Sequence, residues 1–367
     1  MKIEKIRIRN FRNLHQVYYE AHPGLNLFLG GNAQGKTSFL ESIYMFSRPV
    51  SFRPAKDCDM LEYGGAQFFL EAVCSQGDER YKLAVQFQRS KNRKEFLCNG
   101  KKSNYKDPHR LSLVLFTPDD LYLVKGTPGR RRRFLDFMLC QLYPDYEKNF
   151  SSYQALLKKR NQLLRGQKRR SAGFDAVNSL FIQSAAAILE QRIHLSARLD
   201  YAAQEIFPKV YAPEMQFHVR YALSFPYPFA ALKKEGLARE FSRRLQELAP
   251  REDHMRRTLA GPHLDDLNIY LNGRPARSFA SQGQQRSAAV TLKMAEVQMY
   301  RQIRGEVPVV LLDEVFSELD QQKQQLLYSW LETADFQSFL TAVHLDGIQQ
   351  QEPGKIKITR FHQGDME

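Results

Sequence analysis

A glycine-rich loop between an apolar strand and an amphipathic helix constrains the fold of this sequence most. The loop follows the apolar run Leu25–Leu29, and apolar residues recur at helical spacing from Thr37 onward. Glycines let the backbone curl so that its N–H groups point at phosphate oxygens, beside the positive N-terminus of the helix. Lys36 is expected to reach the β- and γ-phosphates of a nucleotide. The segment fits the P-loop pattern, and its predicted cofactor-binding residues are Gly30, Gly31, Asn32, Ala33, Gln34, Gly35, Lys36 and Thr37.

A second apolar strand ends in two carboxylates much further along the chain. The run Pro308–Leu312 is followed directly by Asp313 and Glu314. An aspartate at the end of such a strand holds Mg²⁺ in P-loop ATPases, and the adjacent glutamate is placed to orient the attacking water. Alone, the run could be a capped strand, but beside a P-loop it is the expected partner. We therefore predict an ATP site with Thr37 and Asp313 as Mg²⁺ ligands and with Lys36 and Glu314 as catalytic residues.

A third motif, Ser281-Gln-Gly-Gln-Gln-Arg286, stands just before a predicted helix over about 284–302. Small residues at a helix start form an anion-binding surface, although an ordinary serine N-cap has the same appearance. The order of motifs favours the first interpretation. A P-loop, this segment, the Asp-Glu strand and then Ser317–Asp320 follow one another as in ABC-type ATPases. We therefore add Ser281, Gly283 and Gln284 to the predicted cofactor-binding residues.

The periodicity predicts an α/β fold, an ABC-type P-loop ATPase head with an inserted helical-hairpin lobe. Short strands are expected over 68–73, 81–87 and 95–98, and long helices over about 130–164 and 174–207. Most of the chain separates the two halves of the ATP site. We assign residues 1–115 and 303–367 to the ATPase lobe. Residues 116–302 form a mainly helical lobe with small strands that carries the Ser281 motif.

The charge balance indicates a polyanionic partner. Lys+Arg number 54 against 40 Asp+Glu, a formal net charge of +14, which favours contact with the phosphate backbone of DNA. No recognition helix, zinc finger or RNA motif is visible, so sequence-specific readout is not expected. The basic clusters, each of which alone is most often a solvated face, are 91–94, 101–102, 130–133, 158–160, 168–170, 243–244 and 256–257.

Other features bound the compartment and the chemistry. The four cysteines lack paired metal-ligand spacing, and no apolar run reaches the roughly 20 residues of a spanning helix or forms a signal-peptide core. These features predict a soluble, cytoplasmic protein without a membrane partner. His263 with Asp265 and Asp266 could be a metal site, but a hydrogen-bonded structural corner is the preferred interpretation. No nucleophile triad, metalloprotease helix or redox pair is visible.

Several segments together resemble the RecF family of bacterial recombination-repair proteins, ABC-type relatives of the SMC proteins. They run in order from residue 8 to residue 320, so the resemblance covers nearly the whole chain. The matching segments are 8–13, the P-loop, 116–121, 124–126, 131–136, 261–263, 265–266, 272–273, 281–286, 311–314 and 317–320.

The resemblance implies an ATP-dependent homodimer in which Ser281 and Gly283 of one subunit cover the γ-phosphate held by Lys36 of the other. An intrasubunit contact remains the alternative. It also implies a weak, DNA-dependent ATPase that acts as a dimerisation switch in gap repair, replication-fork maintenance and the SOS response. Its DNA would be duplex near single-strand junctions, and its protein partners would be RecR and RecO.

Three positions depart from the family pattern. Ala33 stands where the family often has glycine, which the loop accommodates if the backbone φ there is negative. Leu264 replaces an arginine that usually follows Gly-Pro-His. Thr341-Ala-Val-His344 differs from a threonine-rich stretch, and His344 is either a γ-phosphate switch or a packed structural histidine.

Rival functions make different demands on the sequence. An ATPase that drives a nuclease carries an acidic metal-binding domain after the ATPase, whereas this chain ends about fifty residues beyond Asp313. A small-molecule P-loop kinase would not need the Ser281 motif or the helical insert. A purely structural binding protein would have no use for Glu314.

Overall fold

The structure is a computed structural model, and it describes residues 1–48, 50–53, 55–104, 107–227, 234–344, 356–362 and 364–366. The chain divides into two compact units, Met1–Leu121 with Tyr300–Glu367, and Tyr122–Met299. The lobe boundaries assigned from the sequence, at 115 and 303, stay a prediction. The mixture of sheets and helices confirms the predicted α/β class.

Fifteen strands and nine α-helices lie within the described residues. The strands are β1 (Lys2–Phe11), β2 (Leu14–Glu20), β3 (Leu25–Leu29), β4 (Gln67–Gln76), β5 (Glu79–Gln88), β6 (Arg93–Cys98), β7 (Lys101–Ser103), β8 (Leu113–Phe116), β9 (Phe217–Ala222), β10 (Asp266–Leu271), β11 (Arg274–Pro275), β12 (Val309–Asp313), β13 (Ser338–Ala342), β14 (Ile356–His362) and β15 (Asp365–Met366). The helices are α1 (Lys36–Tyr44), α2 (Pro128–Leu142), α3 (Tyr146–Arg165), α4 (Ala172–Val210), α5 (Lys234–Glu247), α6 (Ala249–Met255), α7 (Ala276–Phe279), α8 (Gln282–Arg304) and α9 (Gln321–Glu332).

A mainly parallel sheet organises the first unit. Its strand order is β15-β14-β3-β13-β12-β8, and β14, β3, β13, β12 and β8 pair in parallel. Strands β12 and β13 are buried throughout, which explains their nearly continuous apolar sequence. Because β13 pairs with both β3 and β12, the carboxyl ends of those strands meet at one edge. This is the edge at which open α/β sheets bind ligands.

The first unit also contains an antiparallel sheet of order β2-β1-β4-β5-β6-β7. The strands predicted over 68–73, 81–87 and 95–98 are confirmed as β4, β5 and β6. Asn99 and Gly100 turn the chain between Cys98 and Lys101 with φ values of 49° and 77°. Two positive φ angles are the requirement of the tight hairpin turn that this dipeptide favours.

The second unit corrects one helix boundary. The single helix expected over 130–164 is two helices, α2 and α3, because Tyr143 and Pro144 interrupt it. Tyr143 is extended, with φ −126° and ψ 109°, since a residue before proline disfavours the helical region. The hairpin of α3 and α4 is confirmed. The ring of Tyr153 stacks on Phe181 at 5.3 Å, and the remaining small sheet has the order β11-β10-β9.

Helix α4 has an unusual length and composition. By those two criteria it is long and apolar enough to cross a membrane, and within the described ranges it is the one helix that is. Yet Arg192 is 1% exposed on it and forms an ion pair with Asp136 at 2.8 Å. The same guanidinium donates to the Pro262 carbonyl at 2.6 Å. A buried arginine with partners from distant segments is typical of a core helix.

Candidate nucleotide site

The predicted P-loop joins β3 to α1 at the carboxyl edge of the parallel sheet. Two of its glycines are required by close contacts. Gly30 has φ 155°, and a Cβ there would lie 2.6 Å from the Phe361 carbonyl oxygen. Gly35, the N-cap of α1, has φ 111°, and its Cβ would lie 2.9 Å from Leu14. Side chains at either position would clash, so the glycines let the loop approach β14 and β2.

The condition set for alanine at position 33, a negative backbone φ, is not met. Ala33 has φ 62°, in the left-handed region, and its side chain is exposed. A Cβ in that region approaches the following carbonyl oxygen at a cost of about 1–2 kcal/mol. The strained residue is held by a hydrogen bond to its carbonyl group. Asn13 Nδ2 donates to Ala33 O at 3.3 Å.

Lys36 is held inside the loop. It is 2% exposed, and its Nζ donates to the carbonyl oxygens of Gly30 at 2.8 Å and Gly31 at 2.7 Å. The same ammonium lies 3.3 Å from Oε1 of Glu314. The structure therefore brings together the two residues that the sequence assigns to catalysis.

Asp313 is the centre of a small hydrogen-bond network. Its Oδ1 accepts from the Thr37 hydroxyl at 2.9 Å and from the Thr341 hydroxyl at 3.0 Å. The oxygen of Thr341 also accepts from the Glu314 N–H at 3.0 Å. Sequence reasoning missed Thr341, because the pairing of Asp313 with Thr341 across β12 and β13 is long-range. His344, two residues beyond β13, is exposed, and its role as a switch stays a prediction.

Burial raises the pKa of Asp313, against the lowering effect of its bonds from Thr37 and Thr341. The neighbouring Glu314 charge adds to the increase. Glu314 itself has a left-handed φ of 50°, a strained conformation of a kind that clusters at active sites. Two carboxylates with unequal surroundings thus stand side by side at the end of β12.

Arginines near the loop are a further feature that sequence reasoning did not assign to the site. Arg12 donates from Nε and Nη2 to the two oxygens of buried Glu41, at 3.0 Å and 2.7 Å. Arg53 donates to the same carboxylate and lies 3.5 Å from Ser38 Oγ. Burial alone would raise the pKa of Glu41, but the bonds from Arg12, Arg53 and Ser51 lower it below its usual value. The carboxylate fixes both guanidinium groups beside the P-loop.

These groups line a cavity of about 720 Å³. Its volume is within the range of small-molecule sites. The lining residues include 32–37, Arg12, Arg53 and Glu314, and also Leu61 and the exposed Tyr63. The lining combines the cations Lys36, Arg12 and Arg53 with the carboxylates Asp59, Glu62 and Glu314. Beside the loop, Lys36 and the N-terminus of α1 are the groups that favour an anion.

The Ser281 motif belongs to the second unit. Ser281 Oγ accepts from the Gln284 N–H at 3.2 Å, and Gln284 Oε1 accepts from the Ser281 N–H at 2.8 Å. This reciprocal pair is a capping box at the start of α8, as the simpler interpretation expected. Ser281 is exposed and Gly283 partly exposed. A contact with phosphate at this corner stays a prediction.

The His263 corner is built from hydrogen bonds, in agreement with the preferred interpretation of its sequence. His263 Nδ1 lies 2.7 Å from Tyr153 OH, and burial lowers the pKa of His263 to about 4. Asp265 accepts from Tyr221 OH at 2.7 Å, and Asp266 pairs with Arg131 at 2.7 Å. Leu264, which replaces the arginine usual in the family pattern, is exposed beside this corner.

The structure places one cysteine in a cluster that its spacing does not indicate. Donor atoms of Cys98, Asp107 and His109 lie within 4.8 Å of one another. Asp107 already accepts from Ser103, from the His109 N–H and from the His109 ring. These contacts account for the cluster as a carboxylate-stabilised turn after β7.

Comparisons with known proteins agree with this geometry. The family described as RecF/RecN/SMC N terminal domain matches residues 2–365. The DNA replication and repair protein RecF of Heliobacterium modesticaldum is 35% identical over 370 residues, which are 100% of this chain and 99% of that protein. The chain belongs to the RecF family. RecF of Staphylococcus aureus is 32% identical over 372 residues, with both proteins fully covered.

Solved structures extend the RecF likeness to three dimensions. A structure described as the recombination mediator protein RecF-ATPrS in the RecFOR pathway matches with a TM-score of 0.89 at 27% identity, over 100% of this chain and 97% of that one. The corresponding RecF-ATP structure matches at 0.86 and 26%, over 100% and 98%. An Smc head domain from Pyrococcus furiosus matches at 0.56 and 12%, over 100% and 95%, and shares the fold. These matches confirm the predicted ABC-type ATPase head.

Proposed function

We propose that this chain is an ATP-dependent DNA-binding protein of recombinational gap repair and replication-fork maintenance. The proposal rests on two contacts: a hydrogen bond from Thr37 to Asp313 at 2.9 Å and an ion pair between Lys36 and Glu314 at 3.3 Å. Both contacts join the P-loop to the Asp-Glu strand. Relatives named DNA replication and repair protein RecF support the cellular role, and ATP in the matching structures supports the ligand.

The donor set fits a Mg²⁺–ATP complex. Thr37 and Asp313 offer a hydroxyl and a carboxylate, the hard oxygen ligands that Mg²⁺ prefers, and the two oxygens already converge. A bound Mg²⁺ would supply neutralisation of phosphate charge. Backbone N–H groups of the loop and the Lys36 ammonium would hold the phosphates. Arg12 and Arg53 line the same cavity and add positive potential.

Hydrolysis would depend on Glu314. The ion pair with Lys36 keeps this carboxylate in the cavity, and a phosphate that takes over Lys36 would free it to accept a proton from water. Glu314 would therefore both respond to nucleotide binding and accept the proton. We infer a slow ATPase, stimulated by DNA, whose hydrolysis ends a bound state and does not drive continuous movement.

The dimer is the second part of the proposal. The Ser281 corner presents Ser281, Gly283 and the N-terminus of a long helix to solvent, and such a corner is complementary to a phosphate. We propose that it covers the γ-phosphate held by Lys36 of another copy. ATP would then join two copies, and hydrolysis would release them. RecR and RecO are the proposed protein partners in the cytoplasm, with duplex DNA near single-strand junctions as the nucleic acid.

Mass in solution tests the proposal, measured with and without ATP and gapped duplex. We expect wild type to become dimeric with ATP, and Glu314→Gln to remain dimeric because hydrolysis is blocked. Lys36→Ala should not bind nucleotide, whereas Ser281→Arg should bind it and stay monomeric. Ser171→Arg is the matched control, since Ser171 caps α4 by accepting from Phe174 N at 3.2 Å. An ATP-dependent dimer of Ser281→Arg equal to that of the control would refute the intersubunit role.

A further inference from the structure

Two exposed basic segments, remote in sequence, converge at one end of the α3–α4 hairpin. One is the last residue of α3 with the turn that follows it, and the other comprises α6 and the residues after it. We call their exposed cations the tip surface. Its members are Arg165, Lys168, Arg170, Arg251, Arg256 and Arg257.

A buried ion-pair network fixes the two segments to each other. Arg160 is fully buried and donates to both oxygens of Glu252, at 3.1 Å and 2.7 Å, although the residues are 92 positions apart. It also donates to the Thr258 hydroxyl at 2.7 Å. From the turn, Arg169 donates to Glu252 at 2.8 Å and to Asp253. A buried pair with several hydrogen bonds holds its elements in one geometry.

The same network also pairs the local carboxylates with arginines. Glu252 and Asp253 are occupied by Arg160 and Arg169. Across the part of the chain that the structure describes, no ion pair with a carboxylate is formed by any member of the tip surface. Helix α4 also begins at this turn, with Ser171 as its N-cap, so a helix N-terminus adds to the positive potential.

We propose that the tip surface binds the phosphate backbone of DNA. The inference rests on the proposed function for its nucleic acid and adds the location of the contact. Five of the six cations are arginines. A planar guanidinium group can donate two parallel hydrogen bonds to the oxygens of one phosphate. The six cations are spread over the end of α3, the turn after it, the short helix α6 and the loop after α6, and they do not lie along one helix. This arrangement fits contact with backbone phosphates and not readout of base edges.

Salt-dependent DNA binding of two charge-neutralised variants tests the location. One variant is Arg165→Gln with Lys168→Gln and Arg170→Gln, and the other is Arg251→Gln with Arg256→Gln and Arg257→Gln. The control is Lys82→Gln with Lys101→Gln and Lys102→Gln, which removes the same charge from exposed lysines of β5 and β7. Fluorescence anisotropy with a mixed-sequence duplex is recorded between about 50 and 200 mM salt.

We expect each tip variant to bind DNA at least about tenfold more weakly, and the slope of log affinity against log salt to fall by up to about 3. The control should keep nearly the wild-type slope. Nucleotide binding and thermal unfolding should match wild type in all variants. Equal losses in the control and tip variants would overturn the proposal, because net charge alone would explain them. Unchanged DNA binding in the tip variants would also overturn it, and would leave the surface to an acidic protein. A wild-type chain that bound no DNA would instead refute the proposed function.

Discussion

The ammonium group of Lys36 lies 3.3 Å from Oε1 of Glu314, and the lysine side chain is 2% exposed while that of Glu314 is 35% exposed. The buried cation is thus paired with a carboxylate that reaches the cavity. An incoming phosphate would compete with that carboxylate for the same ammonium. In the proposed function, this contact would link nucleotide binding to the release of Glu314 as general base.

The first prediction concerns Glu314→Gln. Removing the carboxylate should lower ATP hydrolysis by about 100-fold or more, the usual contribution of a positioned base. ATP binding should be retained or tighter, because a competing negative charge next to Lys36 is lost. Phosphate release and nucleotide titration measure the two effects, with exposed Glu214→Gln as the control. Hydrolysis at the wild-type rate would remove Glu314 from catalysis.

Ala33 provides a test of loop strain. Because its φ is 62°, Ala33→Gly should stabilise the protein by about 0.5–1 kcal/mol, whereas Ala33→Val should weaken both stability and nucleotide binding. Ala176→Gly, at an exposed position inside α4, should instead destabilise by about 1 kcal/mol. Denaturant unfolding compares the three. A loss of stability in Ala33→Gly similar to that in Ala176→Gly would argue against strain at Ala33.

Thr341→Val examines the anchor shared by the two carboxylates. The substitution leaves the Glu314 N–H without its acceptor and should cost about 1–3 kcal/mol. Hydrolysis should fall by about tenfold while ATP affinity changes less, since Lys36 and the loop are untouched. Thr291→Val is the control. Among the described residues the buried Thr291 hydroxyl has no hydrogen-bond partner, so its removal should be neutral. Similar losses in the two variants would assign Thr341 to packing alone.

The pKa of Asp313, raised by burial, sets a pH dependence without metal. Asp313 binds its proton more tightly in the folded chain than in the unfolded chain. Its contribution to the free energy of unfolding is therefore present below the ordinary aspartate pKa. That contribution is lost as pH rises through the folded-state pKa. Asp313→Asn keeps an acceptor for Thr37 but cannot ionise, so it should melt higher than wild type at neutral pH in chelator, with a smaller difference in acid.

In Asp313→Asn, Mg²⁺ should no longer strengthen ATP binding. Asp107→Asn is a control of opposite sign. Burial would raise the pKa of Asp107, but hydrogen bonds from Ser103 and His109 lower it. Its removal should therefore destabilise the protein at neutral pH. A melting temperature of Asp313→Asn below wild type at neutral pH would contradict the burial argument.

His263 should make the protein acid-sensitive. Burial lowers its pKa to about 4 from the ordinary 6.5, so the unfolded chain binds this proton first. Stability from this site is present above about pH 6.5 and is lost as pH falls toward 4, by at most about 3 kcal/mol. His263→Gln should flatten this part of the pH–stability curve, whereas exposed His254→Gln should not. An unchanged curve in His263→Gln would assign the loss to other groups.

Local patterns allowed much of the fold to be predicted. The run Leu25–Leu29 is β3 at the expected bounds, and the helix expected over 284–302 is α8. The failures occurred where one residue overrides a periodic pattern. Pro144 divides α2 from α3 although the apolar spacing continues, because proline restricts Tyr143 and cannot donate to a helix. The strained φ of Ala33 arises from the closed path of the loop and leaves no trace in composition.

The candidate site divides in the same way. Lys36, Thr37, Asp313 and Glu314 lie in motifs whose residue types are demanded by phosphate and metal chemistry, so their sequence alone indicated them. Thr341 entered only through the order of strands in the parallel sheet. Arg12 and Arg53 entered through the buried carboxylate of Glu41.

The strand–loop–helix unit and the Asp-Glu strand follow from the linear order of residues, because each depends on near neighbours and their intrinsic preferences. The positive charge of the chain follows from its composition alone. Three-dimensional packing was needed to bring Lys36 to Glu314, to join Asp313 to the Glu314 backbone through Thr341, and to place the basic turn after α3 beside the segment after α6. Those contacts join residues tens to hundreds of positions apart. Their formation depends on how buried strands and ion pairs pack, and no local pattern encodes that choice.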